Sequence, residues 1–589
     1  MPKLTKLKFW GLIRIAVSPF LFSILMAGHP ITIDGQFHDW ENVEIAYADE
    51  AGPWGADFAD VKITYDQEFL FIYFSFHYGE FLMQDWNAFH LYIDADNDSS
   101  TGLDYNGIGA ELDWTFGQRQ GIFYFNGGNS DVWQNDLTLR IGPTITSQEF
   151  EIAIARNSDI MTLNGAQVLV EGRIAIAEAP PNSDSVPNEP GGIYFSIGED
   201  AVPLPEPISL ERRYEDDIRI VTYNTLWNGI LEPDRQPKFQ RILQALDPDV
   251  IVLQEHTDWN EINDIVQSWF PQETWYASWT YSDLVVLSRF PILYDANLIS
   301  SERTMCALLD TEDELGKNLL VINSHLSCCA NNDGRQQQVD EFASVWREWV
   351  SNDNGPFDLA NETPFVHVGD FNFVGYRQQV ETLRIGDIEN QNEYGDDFLP
   401  DWDSTEIVDL FSRHTHKRMG YTWRGDGSSF NPGKLDYVFY SDATIDSGKH
   451  FIVNTLAMDD EYLANYGLEW DDTQEASDHL PRVFDISLDP NVGIKEDGIV
   501  LKEFATLNNY PNPFNPTTTI TVNIVETLHA TSLRIYNLNG RLVNVVFQGE
   551  LETGTHEFQW DGTNYSSGVY FIKMQSGDFI KTRKMILLK

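Results

Sequence analysis

The sequence predicts a multidomain chain: an N-terminal β-sandwich, a central α/β domain and a small C-terminal β-sandwich. Three observations predict it. A length of 589 residues exceeds what one hydrophobic core organises, at about 100–200 residues per domain. Strand-formers and turn residues dominate both ends of the chain, whereas strand and helix patterns alternate in the middle. Two stretches, 201–216 and 489–504, fit neither pattern and read as linkers.

Taken in order, Lys3, Lys6 and Lys8 precede an apolar run from Ile15 to Ala27, the layout of a signal peptide (1–28) cleaved near Ala27 or Gly28. Arg14 interrupts the longer apolar stretch, and the remainder is shorter than the roughly 20 residues a spanning helix needs. No later segment is long enough either, so the mature chain is expected to be secreted or held at the cell surface without a transmembrane segment.

Residues 29–200 contain Val61-Lys-Ile-Thr-Tyr65 and Phe69-Leu-Phe-Ile-Tyr-Phe74, runs suited to sandwich strands. Asp94-Ala-Asp-Asn-Asp98, followed by Thr101-Gly102, sets Asp94, Asp96 and Asp98 at alternate positions of a loop. This is a candidate cradle for a structural Ca²⁺, with a solvated Asp-rich turn as the alternative. Pro203, Pro205 and Pro207 then mark the first linker, because proline fixes φ and withholds a backbone donor.

In residues 217–488, Ile218–Asn224, Val250–Leu253, Leu319–Ile322 and Phe365–Val368 read as strands. Between them, Phe239, Ile242, Leu243 and Leu246, then Trp259, Ile262, Val266 and Trp269, then Val339, Phe342, Trp346 and Trp349, recur at helical spacing; their tryptophans belong to core-facing stripes. After the second linker, residues 505–589 return to short strands separated by Asn-Gly, Asp-Gly and Ser-Gly turns.

Charge narrows the function. Lys plus Arg total 38 against 91 Asp plus Glu, a net charge of −53. Such a field disfavours tight nonspecific binding of polyanions unless a metal or local basic groups intervene. The three cysteines, Cys306, Cys328 and Cys329, make no disulfide scaffold and no Cys-based metal site; export permits one bridge from Cys306 to the adjacent pair.

Polar residues recur at the expected C-terminal ends of the central strands: Asn224, Glu255, His325, Asp370 with Asn372, Asp436, and Asp478-His479. One aspartate after a strand is usually a cap or turn former, but an ordered series points to a site built on strand-end loops. Glu255 and Asn224 offer the oxygen donors that a hard divalent cation wants, Mg²⁺ first with Mn²⁺ or Ca²⁺ as alternatives. His479 suits removal of a proton from water near neutral pH, provided an acceptor such as Asp436 fixes its tautomer.

The stretches Thr222-Tyr-Asn224, Leu253-Gln-Glu255, Asn323-Ser-His-Leu326, Gly369-Asp-Phe-Asn372, Lys434-Leu-Asp-Tyr437 and Ser477-Asp-His-Leu-Pro481 resemble the ordered motifs of the endonuclease/exonuclease/phosphatase superfamily. The resemblance implies a four-layer α/β sandwich of two mixed β-sheets flanked by helices, and hydrolysis of phosphoric esters. It implies that Asn224 and Glu255 bind the metal with Asp478 close by, that Asp370 and Asn372 orient water and phosphate, and that the Asp436–His479 pair activates the nucleophile. His325 matches the phosphate-contacting histidine of deoxyribonucleases and sphingomyelinases. The expected substrate is a phosphodiester, nucleic acid first and a phospholipid headgroup next; a phosphomonoesterase acting on inositol phosphates is third. A catalytically inactive, glycan-binding surface protein is the reading from another class.

Ile33-Asp-Gly-Gln-Phe-His-Asp-Trp40 with Asp60–Asp66 is similar to the openings of DOMON-like and family-nine carbohydrate-binding modules, which implies a glycan partner. Asn509–Pro516, Leu533–Gly540 and Gly568–Phe571 resemble the type A sorting domain of the bacterial type IX secretion system, which implies that machinery as a partner. Among the remaining residues, Arg289 is expected in an ion pair and His367 in the core, while Arg335, His414 and His416 are expected to be solvated. Trp275–Tyr281 is expected to pack as strand, with base stacking or lipid contact as alternatives.

Overall fold

A computed structural model describes residues 28–487 and 505–589, apart from 53–55, 126, 159–168, 180–183, 199–201, 279, 281, 511, 513, 525–527, 538–540, 552–553 and 577–578. The expected signal peptide, the second linker, Trp279 and Tyr281 thus lie outside the described residues. The chain divides into two compact units, 1–488 and 489–589.

The first unit opens with a β-sandwich of two antiparallel sheets. One holds five strands, centred on Phe58–Tyr65, Phe69–Phe76 and Glu149–Ala155; the other holds seven, centred on Glu171–Glu178, Phe89–Asp94 and Leu112–Thr115. Alternate residues of both sheets, among them Phe74, Ile72, Phe150, Leu91 and Trp114, interleave as one core. The Ile33–Trp40 motif is consumed internally. Trp40 is buried and its indole N–H donates 3.0 Å to Glu151 Oε2, while Asp39 Oδ2 accepts from the Thr32 amide at 2.7 Å.

The central domain is a four-layer α/β sandwich. Its first six-stranded sheet runs Tyr276–Ala277, Leu284–Ser288, Val250–Gln254, Ile218–Asn224, Arg482–Ser487, Asp446–Ile452. The second runs Ile292–Asn297, Thr304–Leu309, Leu319–His325, Phe365–Asp370, Asp436–Tyr440, Val408–Asp409. The period of two assigns every side chain to a layer. Ile218, Ile220, Val250 and Val252 meet Leu319, Val321, Val366 and Val368 between the sheets. Their neighbours Val221, Tyr223, Ile251 and Leu253 instead face Phe239, Ile242, Leu243 and Val266 of the helices Gln236–Leu246 and Trp259–Trp269. On the far side Leu320 and Ile322 pack against Val339, Phe342 and Trp346 of the helix Asn332–Asn352.

Four expectations change. Cys306 does not bridge the adjacent pair: it sits in mid-strand, fully buried among Leu308, Ile322 and Phe342, and Cys328 and Cys329 are joined to each other beyond the strand end. Arg335 is buried rather than solvated, because the first turn of its helix lies on the loop after His325 and the guanidinium satisfies the carbonyls of Ser327 (2.7 Å) and Cys329 (2.9 Å). His414 and His416 are also buried; the first accepts a place in the core by pairing Nε2 with the Tyr421 carbonyl at 2.8 Å. Arg289 does pair with Asp247 and Asp249, and His367 packs between Phe342 and Phe371.

The second unit contains a three-stranded antiparallel sheet, Ala505–Tyr510, Thr517–Ile524 and Gly554–Asp561, and a four-stranded one, Leu542–Leu551, Leu528–Asn537, Gly568–Ser576 and Phe579–Leu587. Ile520, Val522 and Trp560 of the first meet Leu533, Ile535 and Ile572 of the second in its core. Asn512 completes the fold locally: its side chain donates to the Lys584 carbonyl at 2.9 Å and accepts from the Ile586 amide at 2.8 Å, standing in for a missing strand partner beside buried Phe514.

Candidate catalytic cleft

Between the two central sheets the core ends abruptly and polar groups take over. Asp370 follows Val368 on the inter-sheet face of its strand, and Asn224 and His325 follow the polar Thr222 and Asn323 on theirs, so the two sheets present them to one cleft. Glu255 follows Gln254, the last residue of its strand. Asp436, however, begins its strand, and Asp478 and His479 precede theirs. Both strands are antiparallel to their neighbours, so their N-terminal ends reach the same edge as the C-terminal ends of the parallel strands.

Hydrogen bonds fix the floor of the cleft. The Asn224 amide donates to Glu255 Oε1 (3.2 Å) and Asp370 Oδ2 (3.1 Å), while its oxygen accepts from the Leu226 amide (2.9 Å). Asn372 donates to Asp370 Oδ2 at 3.0 Å and to the Leu326 carbonyl at 3.2 Å. Glu255 and Asn372 adopt φ of 56° and 53°, left-handed conformations that cost energy for a residue with a side chain and that turn both groups into the cleft. Beside them Trp227, 80 % exposed, lends its backbone N–H to Glu255 Oε2 at 2.9 Å.

Two carboxylate–imidazole pairs flank Asp370. On one side His479 Nδ1 donates 2.8 Å to Asp436 Oδ2, leaving Nε2 3.6 Å from Asp370 Oδ2. Burial opposes a charge on this ring, but Asp436 and Asp370 outweigh it and push the imidazole up to about 10. On the other side His325 Nδ1 lies 2.7 Å from Asp283 Oδ2, and its Nε2 is 3.7 Å from Asp370 Oδ2 and 4.0 Å from Glu255 Oε1. The guanidinium of Arg303 is 3.1 Å from the same Nδ1. The closer partner can only accept, so Nδ1 carries a proton directed at Asp283. Burial disfavours the charged ring here too, yet the bond to Asp283 and the charge of Asp370 prevail and raise its pKa.

The structure therefore brings together Asn224, Glu255, His325, Asp370, Asn372, Asp436 and His479. Asp478 borders them: its Oδ2 accepts from Trp423 Nε1 at 2.9 Å, and its Oδ1 is buried without a hydrogen-bond partner. The carboxylates crowd differently from expectation, with ligand atoms of Asp370, Asp436 and His479 within 4.8 Å of one another. Sequence reading missed Asp283, Arg303 and Trp423. Asp283 stands immediately before the strand Leu284–Ser288, whose antiparallel pairing with Val250–Gln254 brings its start to the cleft. A search confined to strand C-termini passes over such a residue.

The N-terminal sandwich braces the loops of the cleft. The Thr144 hydroxyl sits between the carbonyls of Phe373 (2.9 Å) and Lys434 (3.3 Å), one residue after Asn372 and two before Asp436. The loop after Trp423 is held by Asn135, which donates 2.6 Å to the Asp426 carbonyl, by Gln84, which accepts from the Asn431 amide at 2.8 Å, and by Arg119 at 4.0 Å over the Phe430 ring.

Residues 221–479 match the Endonuclease/Exonuclease/phosphatase family, and residues 508–588 match the Secretion system C-terminal sorting domain. No curated protein matches the chain. Among solved structures, a 3′ phosphatase, NExo, from Neisseria bound to product DNA hairpin is 16% identical over 45% of this chain and 98% of that one, with a TM-score of 0.29. Truncated Caenorhabditis elegans TDP2 is 12% identical over 46% of this chain and 98% of its own, at 0.31. An AP endonuclease from Archaeoglobus fulgidus is 12% identical over 45% and 98%, at 0.27.

Proposed function

We propose that this chain, which joins an endonuclease/exonuclease/phosphatase domain to a secretion sorting domain, is an exported metal-dependent phosphodiesterase that cleaves nucleic acid outside the cell. The observation that carries the reading is the opposition of the Asp436–His479 and Asp283–His325 pairs across Asp370. In-line displacement of an alcohol from phosphorus needs a proton acceptor on the attacking side and a donor on the leaving side.

The donors present fit a hard divalent cation. Glu255 and Asp478 supply carboxylate oxygens, Asn224 an amide, and buried Asp478 Oδ1 and Asp436 Oδ1 lack hydrogen-bond partners. A bound Mg²⁺, or Mn²⁺ or Ca²⁺, would offset negative charge on the phosphoryl oxygens. In the metal-free cleft Asp436 and Asp370 hold the His479 ring protonated, and a cation bound beside them would offset that charge and free Nε2. His479 Nε2 then takes the proton of the attacking water, and Asp436 fixes the tautomer and stabilises the imidazolium so formed. Asp370 and Asn372 orient that water and the phosphoryl group. The new bond forms between water oxygen and phosphorus as the bond to the leaving oxygen breaks, and His325 Nε2–H returns a proton to that oxygen.

A phospholipid headgroup is the second reading, favoured by Trp227 beside Glu255, because an exposed indole suits a membrane interface as well as a base. The sorting domain supports passage through the type IX machinery to the outer surface or the medium. Among the described residues no helix is long and apolar enough to cross a membrane. The glycan expectation loses its motif, since Trp40 and Asp39 serve the sandwich itself.

The deciding assay offers plasmid DNA, RNA, sphingomyelin vesicles and bis-p-nitrophenyl phosphate to residues 28–589 with Mg²⁺, Mn²⁺, Ca²⁺ or EDTA, beside His479→Ala. Metal-dependent cleavage of nucleic acid, lost in the variant, is the expected result. Cleavage of sphingomyelin alone would transfer the protein to the second reading, and cleavage of nothing would refute both.

A further inference from the structure

The register of the N-terminal sandwich creates an electrostatic conflict. Ile93 pairs with Leu112 as the last rung of an antiparallel ladder, and Asp94 and Glu111 are the next residues beyond it. Like charges brought together there are destabilising. Both are buried, Asp94 at 0% exposure and Glu111 at 1%. Asp96 reaches in from the adjoining loop, and one ligand oxygen from each of the three acids lies within 4.8 Å of the others.

The surrounding groups do not resolve the conflict. The Ala95 amide donates to Glu111 Oε2 at 2.7 Å, and the single Thr101 hydroxyl lies 3.1 Å from Asp96 and 3.1 Å from Glu111. Arg173, opposite Asp94 in the next strand, spends its guanidinium on Asn97 Oδ1 (2.8 Å) and the Gly191 carbonyl (2.6 Å). Neither carboxylate oxygen of fully buried Asp94 makes a well-formed hydrogen bond; the backbone amides of Gly109, Asn97 and Asp98 only partly offset its burial. An uncompensated buried carboxylate is among the costliest groups a fold can hold.

We propose that Asp94, Asp96 and Glu111 form a calcium site in the N-terminal sandwich, separate from the catalytic cleft. The donors are all hard oxygens, with no imidazole or thiolate, on a loop able to accept the longer and less regular bonds of Ca²⁺. The loop is folded tightly enough to form a cage: a Cβ on Gly109 would stand 2.4 Å from the Asp98 carbonyl oxygen and 2.3 Å from that of Thr101. Asp98, the third acid expected from sequence, instead turns to Ser100, accepting from its amide at 3.0 Å and its hydroxyl at 2.6 Å. Glu111, distant in sequence but brought beside Asp94 at the end of the ladder, takes its place.

The test titrates Ca²⁺ calorimetrically into metal-free residues 28–589 and follows thermal unfolding, for the wild type, Asp94→Asn and Asp96→Asn. Any Ca²⁺ bound in the cleft is common to all three and cancels. The wild type is expected to bind one equivalent more than Asp94→Asn and to gain a Ca²⁺-dependent rise in unfolding temperature that this variant lacks. In EDTA, Asp94→Asn is expected to unfold at a higher temperature than the wild type, because a repulsive charge is gone. Asp96 is exposed, so its variant folds regardless and is expected to bind this equivalent at least about tenfold more weakly. Equal stoichiometry and equal affinity in the wild type and Asp96→Asn would overturn the proposal.

Discussion

Replacing Asp283 by asparagine tests the proposed leaving-group side of the cleft without touching the proposed metal ligands. Asp283 Oδ2 holds His325 Nδ1 at 2.7 Å and Arg303 at 3.3 Å, and it is the first group to raise the ring's pKa against burial. Without that charge the guanidinium, 3.1 Å from Nδ1, donates to it and repels a second proton, so the ring stays neutral and becomes a poor acid. Loss of a charge-assisted hydrogen bond is worth about 1.5–3 kcal/mol. At about 1.4 kcal/mol per decade this predicts a fall in kcat of about 10- to 150-fold on DNA, whose alkoxide leaving group needs a proton. The fall on bis-p-nitrophenyl phosphate should be small, because nitrophenolate leaves without one. Steady-state rates on both substrates decide the matter, and the alkaline limb of the DNA profile should move to lower pH as the ring's pKa falls. Equal losses on the two substrates, or none on DNA, would refute the role given to His325.

Three further outcomes are expected. His367 and His414 are each pushed down to about 3 by burial, so the unfolded chain binds more protons than the folded one below the ordinary value of about 6.5. Stability is therefore present above that pH and lost as it falls, by about 2 kcal/mol per histidine at pH 5, measurable by urea unfolding; unchanged stability between pH 7 and 5 would contradict it. Mild reduction should expose two thiols, Cys328 and Cys329, to labelling in the folded protein, while buried Cys306 reacts only in denaturant; mass spectrometry of labelled peptides distinguishes them. Arg119→Ala removes the cation over Phe430, and should raise KM several-fold while sparing metal affinity, since the loop it steadies is on the rim; an unchanged KM on every substrate would show that the rim does not need the brace.

Much of the fold was legible because periodicity encodes it directly. Ile218 and Ile220 face the other sheet while Val221 and Tyr223 face helices, and the alternation is visible in the letters alone. Asn224, Glu255, His325, Asp370 and Asn372 were legible for a related reason, each lying at or just beyond the end of an apolar strand run, whereas Asp436 and His479, at and before the starts of their strands, were legible through the motif resemblance. What escaped depended on pairing between distant segments. Asp283 reaches the cleft only because its strand is antiparallel, and Glu111 meets Asp94 only through a ladder register. The burial of Arg335 and His414 escaped because a polar residue in a loop-like stretch is solvated by default, and only tertiary packing supplies the carbonyls that let it enter the core.

The position of Thr144 makes the two folds of the first unit structurally interdependent. Its hydroxyl belongs to the sandwich, yet the carbonyls beside it belong to the two segments that carry Asn372 and Asp436. Cutting the chain at the proline linker would therefore separate the cleft from part of its own scaffolding. A chain in which another module replaced the sandwich would lack this donor between the two loops.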